Sequence, residues 1–166
     1  MEIIQAKAVD LVEILYLVKV CITDMNARGL MHWNSTYPGA GLFQRDLDDG
    51  NIFLIKDRGV CKGMVTLSSK EPEEYRQLNF TSVNKKPLYM MRMAVHPMWQ
   101  GKGIASKMIE FAQQMAREKG YTCIRLDVFQ TSEDARNLCI GRNFKEIGSF
   151  QSDYQRIPFL CYEKQL

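Results

Sequence analysis

Between an apolar run ending in Val95-His96-Pro97 and a stretch of helical period lies Gln100-Gly101-Lys102-Gly103-Ile104-Ala105-Ser106, which joins two glycines, a lysine and two small side chains. A turn of this kind exposes main-chain N–H groups. The first turn of a helix has donors without intrahelical partners and the positive end of the helix dipole, and glycine lets an anion approach without meeting a Cβ. A phosphate or diphosphate suits such a turn. With charge-assisted hydrogen bonds contributing about 1.5–3 kcal/mol each, several amides together with Lys102 could hold a nucleotide-type cofactor. The same Gly-Lys-Gly can also merely punctuate a strand and a helix, and the residues alone leave both readings open. The spacing is neither Gly-x-x-x-x-Gly-Lys-Ser/Thr nor Gly-x-Gly-x-x-Gly, so a P-loop and a dinucleotide fingerprint are excluded.

Other reactive side chains are sparse. Cys21, Cys61, Cys123, Cys139 and Cys161 are an odd number, widely spaced and without a Cys-x-x-Cys pair, and the only histidines are His32 and His96. This supports neither a disulfide framework nor a zinc site, and no metal is expected.

The elements that must position the turn follow from periodicity. Met1 to Lys7 reads as a strand. Leu11, Leu15, Val18, Ile22 and Met25 make a helical stripe, widened by Ile14, Leu17 and Cys21, which Gly29 is placed to stop. Leu30 to Gly41, with His32, Trp33, Tyr37 and Pro38, has no period and reads as a loop; Leu42 to Asp49 reads as a short helix ending at Gly50. Asn51–Lys56 and Val60–Leu67 flank Asp57-Arg58-Gly59 as a hairpin. Residues 69 to 87 are polar and charged with two prolines, long enough to suspect a functional loop. Leu88–Val95 is apolar except for Arg92, as expected of a central strand covered on both faces, and Pro97 closes it. A helix with the stripe Ile104, Met108, Phe111, Ala112 and Met115, closed by Lys119 and Gly120, leads to the strand Cys123–Phe129 and completes a βαβ unit. A helix over Glu133–Arg142 and strands near Lys145–Phe150 and Arg156–Tyr162 finish the chain.

The 166 residues carry 22 Lys and Arg against 19 Asp and Glu, a net charge of +3. One domain spanning 1–166 is the expectation, with a core large enough to need neither disulfide nor metal. The interspersed charges lack the footprint that nucleic-acid binding requires. Glu2 stands where a leader would be basic, and the apolar run Ile14–Val18 is too short for a signal or a membrane span, so a cytoplasmic chain free of membrane is expected.

At the turn the sequence resembles the GNAT superfamily of acyl-coenzyme A-dependent acyltransferases. That family carries Gln/Arg-x-x-Gly-x-Gly/Ala after a strand ending in Val-x-Pro; Gln100, Gly103 and Ala105 match, as does Val95-His96-Pro97. A weaker match lies at Ser132-Glu133-Asp134-Ala135-Arg136-Asn137-Leu138-Cys139, where the family often has Asn-x-x-Ala-x-x-Leu-Tyr, followed by Asn143-Phe144 in place of Gly-Phe. The resemblance implies an α/β (α+β) fold with a mixed, mostly antiparallel central sheet of about seven strands flanked by about four helices. It also implies that the main chain at Met93, Ala94 and Val95 pairs with the pantetheine arm of acetyl-CoA. The amides from Gln100 through Gly101, Lys102, Gly103, Ile104 and Ala105 to Ser106 would bind the pyrophosphate. Ser132 stands where an Asn usually contacts the cofactor, and Cys139 where a Tyr is often the acid for the departing thiolate.

The implied reaction is direct attack of an amine, from a small molecule or a peptide, on the thioester carbonyl, with no covalent enzyme intermediate. An amine is mostly protonated at neutral pH and needs a proton acceptor. Arg92 and Asp127 lie on the central strands, and Glu71, Glu73 and Glu74 lie in the long loop; Asp127 is the preferred acceptor. Cys139 reads either as a proton donor or as a packed thiol, and packing is the favoured reading. Trp33 and Tyr37 correspond to the family's variable segment beside the acceptor pocket, although aromatic residues there can simply fill the core. A non-catalytic acyl-CoA-binding or regulatory module is the alternative, and an exposed sheet edge could pair two copies as a homodimer.

Overall fold

The computed structural model of the chain describes residues 1–78, 85–152 and 156–166. The elements in order are β1 (Glu2–Gln5), α1 (Leu11–Ala27), α2 (Ala40–Asp48), β2 (Ile52–Asp57), β3 (Val60–Ser68), β4 (Pro87–Val95), α3 (Ile104–Glu118), β5 (Cys123–Phe129), α4 (Glu133–Gly141), β6 (Lys145–Phe150) and β7 (Phe159–Gln165). Short 3-10 turns lie at Ala8–Asp10, Glu73–Gln77 and Pro97–Trp99. The strands form one seven-stranded sheet in the order β1-β2-β3-β4-β5-β7-β6. Pairing is parallel between β4 and β5 and antiparallel in β1–β2, β2–β3, β5–β7 and β6–β7. This is the mixed, mostly antiparallel sheet with four helices that the resemblance implies. Two compact units are distinguishable, Met1–Leu67 with Arg92–Phe111 and Ser68–Met91 with Ala112–Leu166.

In the first unit α1 buries deepest the residues that widen its stripe, and of the main stripe only Val18 is fully buried. Ile14, Leu17, Val18 and Cys21 gather with Trp33, Phe43, Leu47, Ile52, Leu54 and Met64 into one buried cluster, and Leu11, Leu15, Ile22 and Met25 flank it half-buried. Gly29 follows the helix at φ +77, where a side chain would be penalised. Helix α2 begins at Ala40, two residues before the expected Leu42, because Gly39 takes the extended N-cap conformation and the small residues after it fit a helical turn. The β2–β3 turn is the two-residue type in which both central residues have positive φ: Arg58 is at +51 and Gly59 at +79.

The buried row of α3 is Ile104, Met108, Ala112 and Ala116, each one turn beyond the last, widened by Ile109. Phe111 and Met115, expected in the stripe, sit half-buried on its flank, and Phe111 packs its ring against Phe53 at 5.0 Å.

The second unit has its own buried cluster, in which Tyr75, Tyr89 and Phe150 gather with Cys161. Of the polar segment 69–87, Glu73–Gln77 forms a 3-10 turn that buries Tyr75, while residues 79–84 lie outside the described residues. The last strand starts at Phe159, three residues after the expected Arg156. Pro158 has no N–H for a ladder, and the pairing with β5 runs instead to the polar end, from Phe129↔Phe159 through to Cys123↔Gln165.

Candidate active site

The turn predicted to bind an anion is built entirely within the first unit. Beyond Val95, Pro97 opens a 3-10 turn in which His96 Nδ1 accepts the Met98 N–H at 3.2 Å and the His96 carbonyl accepts that of Trp99 at 2.7 Å. Gln100 then ties the turn back to the strand. Its side-chain amide donates to the Val95 carbonyl at 3.1 Å, the same oxygen that accepts the Cys21 thiol at 3.4 Å, and its main-chain N–H donates to Pro97 at 3.3 Å. Gln100, expected among the amides that grip the anion, therefore shapes the turn through partners inside the protein.

Gly101 and Gly103 lie at φ +70 and +78, and a Cβ built on either meets no atom within 4 Å. Backbone conformation demands glycine at both positions, since an L side chain there costs about 1–2 kcal/mol. The space over their main chain is open. Lys107 donates to the Gly103 carbonyl at 3.1 Å, which leaves Ile104, Ala105 and Ser106 as an opening turn whose N–H groups have no carbonyl one turn earlier in the helix. Lys102 brings positive charge beside it, its Nζ 4.7 Å from the centre of the Trp99 ring; Lys62 Nζ, 3.5 Å from the same ring, is buried and already ion-paired with Asp57 at 2.6 Å. The arrangement can hold an oxyanion by main-chain donors, a helix terminus and the Lys102 ammonium group.

Beneath the turn lies a residue that sequence reasoning passed over. A Cβ on Gly63 of β3 would come within 2.8 Å of the Ala94 carbonyl and 3.2 Å of both Ile104 and Met108. The signal was a lone glycine within a strand, which marks close approach of another backbone. Gly63→Ala is expected to cost about 1–3 kcal/mol by overpacking, read as a lowered denaturation midpoint.

The two expected acceptor-side aromatics separate. Trp33 is 8% exposed and belongs to the core cluster, where its large apolar face gains most; Tyr37 is 47% exposed.

In the second unit Asp127 Oδ1 accepts the hydroxyl of Tyr75 at 2.8 Å. Tyr75 is almost fully buried, and burial together with the Asp127 charge pushes its hydroxyl well above the ordinary value, so it stays a donor. Nothing in the polar segment 69–87 pointed to this tyrosine. Cys139, on α4, is 3% exposed, and burial, then the charge of Asp127, pushes its thiol up to about 12. Giving a proton to a thiolate of ordinary pKa near 8.5 would run uphill by roughly three units, so this environment favours the packing role. Cys139→Ala is expected to cost about 1–2 kcal/mol of stability and only a modest loss of turnover, checked by denaturation and initial rates. Ser132 is the N-cap residue of α4, half-buried, with no side-chain capping bond. Among the described residues no group of three or more His, Cys, Asp or Glu could hold a metal, and no helix is long and apolar enough to cross a membrane.

Known proteins resemble this chain in sequence and in fold. The family model described as the acetyltransferase (GNAT) family matches residues 18–142. N-acetyltransferase 8B from Rattus norvegicus is 29% identical over 105 residues, covering 62% of this chain and 43% of that protein. The chain spans less than half the length of the curated relatives it matches. Among solved structures, a GNAT-family acetyltransferase from Streptococcus agalactiae superposes with a TM-score of 0.86 at 16% identity, over 99% of this chain and 95% of that one. The YncA protein from Salmonella typhimurium, solved with its cofactor acetyl-CoA, gives a TM-score of 0.72 at 15% identity over 100% of this chain and 94% of that one. These structures share the fold. With the family model matched over most of its length, this chain belongs to the GNAT acetyltransferase family.

Proposed function

We propose that the chain transfers an acetyl group from acetyl-CoA directly to a primary amine of a small molecule or a peptide. The observation that carries this reading is the open main chain of Gly101 and Gly103 at the head of α3, in a chain of this family. The main chain from Gly101 to Ser106, with Lys102, takes the diphosphate. Because the Val95 carbonyl is already engaged by Gln100 and Cys21, pairing with the pantetheine arm falls to the other main-chain groups of Met93, Ala94 and Val95. Ser132 lies at the cofactor side by resemblance, and Tyr37 is the more accessible candidate for contact with the acceptor.

In the reaction the amine lone pair attacks the thioester carbonyl carbon, and the oxyanion collapses as the carbon–sulfur bond breaks. The amine proton goes to a base and the thiolate takes a proton. Asp127, held by Tyr75, is the proposed proton acceptor, directly or through water. Solvent is the proposed proton source for the thiolate, since the Cys139 thiol is held too high.

Release of free thiol from acetyl-CoA, assayed against polyamines, amino acids, aminoglycosides and peptides, tests the reading. Saturable release with one acceptor class is expected. Binding without transfer to any acceptor would show a non-catalytic acyl-CoA-binding module instead.

A further inference from the structure

Three residues upstream of Val95, Arg92 sits inside β4 at φ +47, a conformation that L side chains rarely adopt within a strand. Such a residue persists only where its surroundings hold it. Here the holder is visible. Arg92 Nη2 meets Asp46 Oδ2 of α2 at 2.6 Å, and the two side chains are only 10% and 12% exposed.

The pair is an unpromising source of net stability. Both charges are withdrawn from water, burial raises the Asp46 carboxyl despite the opposing charge of Arg92, and Arg92 Nε is buried with no hydrogen-bond partner among the described residues. A strained residue, a dry ion pair and an orphaned donor thus coincide at one point of the strand, immediately before Met93–Val95. Downstream, that same stretch is held by the His96 N–H bonded to the Lys62 carbonyl and by the Gln100 bond to Val95, and the Ala94 carbonyl stands where a side chain on Gly63 would otherwise be. The upstream end has the Asp46–Arg92 pair.

We propose that Asp46 and Arg92 are positioning residues: their ion pair locks the left-handed bend of β4 and so sets the direction in which the main chain at Met93–Val95 meets the acyl donor. The inference rests on the reading under Proposed function for the identity of that donor. The bend itself can be tested apart from it.

Glycine adopts positive φ freely, whereas alanine does not, so the two truncations of Arg92 separate the bend from the guanidinium. In crystal structures of the full chain, residue 92 is expected to keep positive φ in Arg92→Gly and to lose it in Arg92→Ala. In thiol-release kinetics, Arg92→Ala is expected to lower kcat by about tenfold or more with coenzyme A affinity nearly unchanged, and Arg92→Gly to recover several-fold of that loss. Asp46→Asn is expected to fall between them. Equal impairment of the glycine and alanine variants would overturn the proposal, because the guanidinium would then act otherwise than through the bend. Wild-type kcat in both, with only a lowered melting temperature, would overturn it too. Should both truncations fail to fold, Arg92→Lys, which keeps a cation for Asp46, is expected to stay within about threefold of the parent kcat, and a larger loss in the folded variant contradicts the proposal. If the unmodified chain neither binds coenzyme A nor releases thiol, while φ at position 92 responds as expected, it is the functional reading that fails and the clamp on the bend that stands.

Discussion

Replacing Gly103 by aspartate is expected to abolish coenzyme A binding and leave the fold standing. Gly103 lies at φ +78 with nothing within 4 Å of the point where a Cβ would stand, so the new side chain has room and projects into the space over the turn. Asp and Asn tolerate left-handed backbone better than other side chains, which limits the conformational penalty. The larger effect is electrostatic. A carboxylate beside the head of α3 satisfies the donors meant for the ligand and repels its phosphates, and losing even two charge-assisted hydrogen bonds of about 1.5–3 kcal/mol corresponds to a hundredfold or greater loss of affinity. Gly103→Asn has nearly the same shape and backbone demand without the charge, and should lose only about tenfold. Titration of both variants, with thermal melts to confirm folding, reads the difference. Affinity retained in the aspartate variant would remove the diphosphate from this turn.

Glu163→Gln should give the largest loss of stability. Glu163 on β7 accepts a hydrogen bond from Arg125 Nε at 2.9 Å and a second from the Lys85 ammonium, and Arg125 is 4% exposed. Removing the charge leaves Arg125 buried without its carboxylate, which costs about 3–5 kcal/mol in comparable cases. Burial alone would raise the Glu163 carboxyl, but the hydrogen bonds from Lys85 and Arg125 outweigh it and hold the group below its ordinary 4.5. A carboxyl whose folded value is depressed contributes stability that is present above its unfolded value and is lost as pH falls through the folded one. Denaturant melts of the parent and the variant should therefore differ most near neutral pH and converge progressively below pH 4.5. A gap of constant size down through that range would mean that the charge of Glu163 is not what holds Arg125.

What could be read in advance depended on range along the chain. The stripe of α1, the Arg58-Gly59 hairpin turn and the strand-turn-helix around Gly101 and Gly103 are set by neighbours within a few residues, and their periods and turn chemistry are written locally. The side chains proposed to position the site are joined across much longer separations. Asp46 reaches Arg92, Tyr75 reaches Asp127 and Cys21 reaches Val95, and no period or motif links the members of any of these pairs. Trp33 shows the other limit. Its type fits a binding pocket and a core equally, and only the packing of α1 and α2 decides for the core. In β7 the polar residues at the chain end look like a tail, yet backbone pairing with β5 makes them strand, because ladder hydrogen bonds do not depend on side-chain polarity.

All of the proposed chemistry requires that the main chain between Gly101 and Ser106 grip the diphosphate of an acyl-coenzyme A. Isothermal calorimetry of the purified, folded chain with acetyl-CoA tests this most directly. A saturable heat at one site per chain, weakened by inorganic pyrophosphate as a competitor, is the predicted result. No heat and no saturation with acetyl-CoA or any other coenzyme A thioester would contradict it.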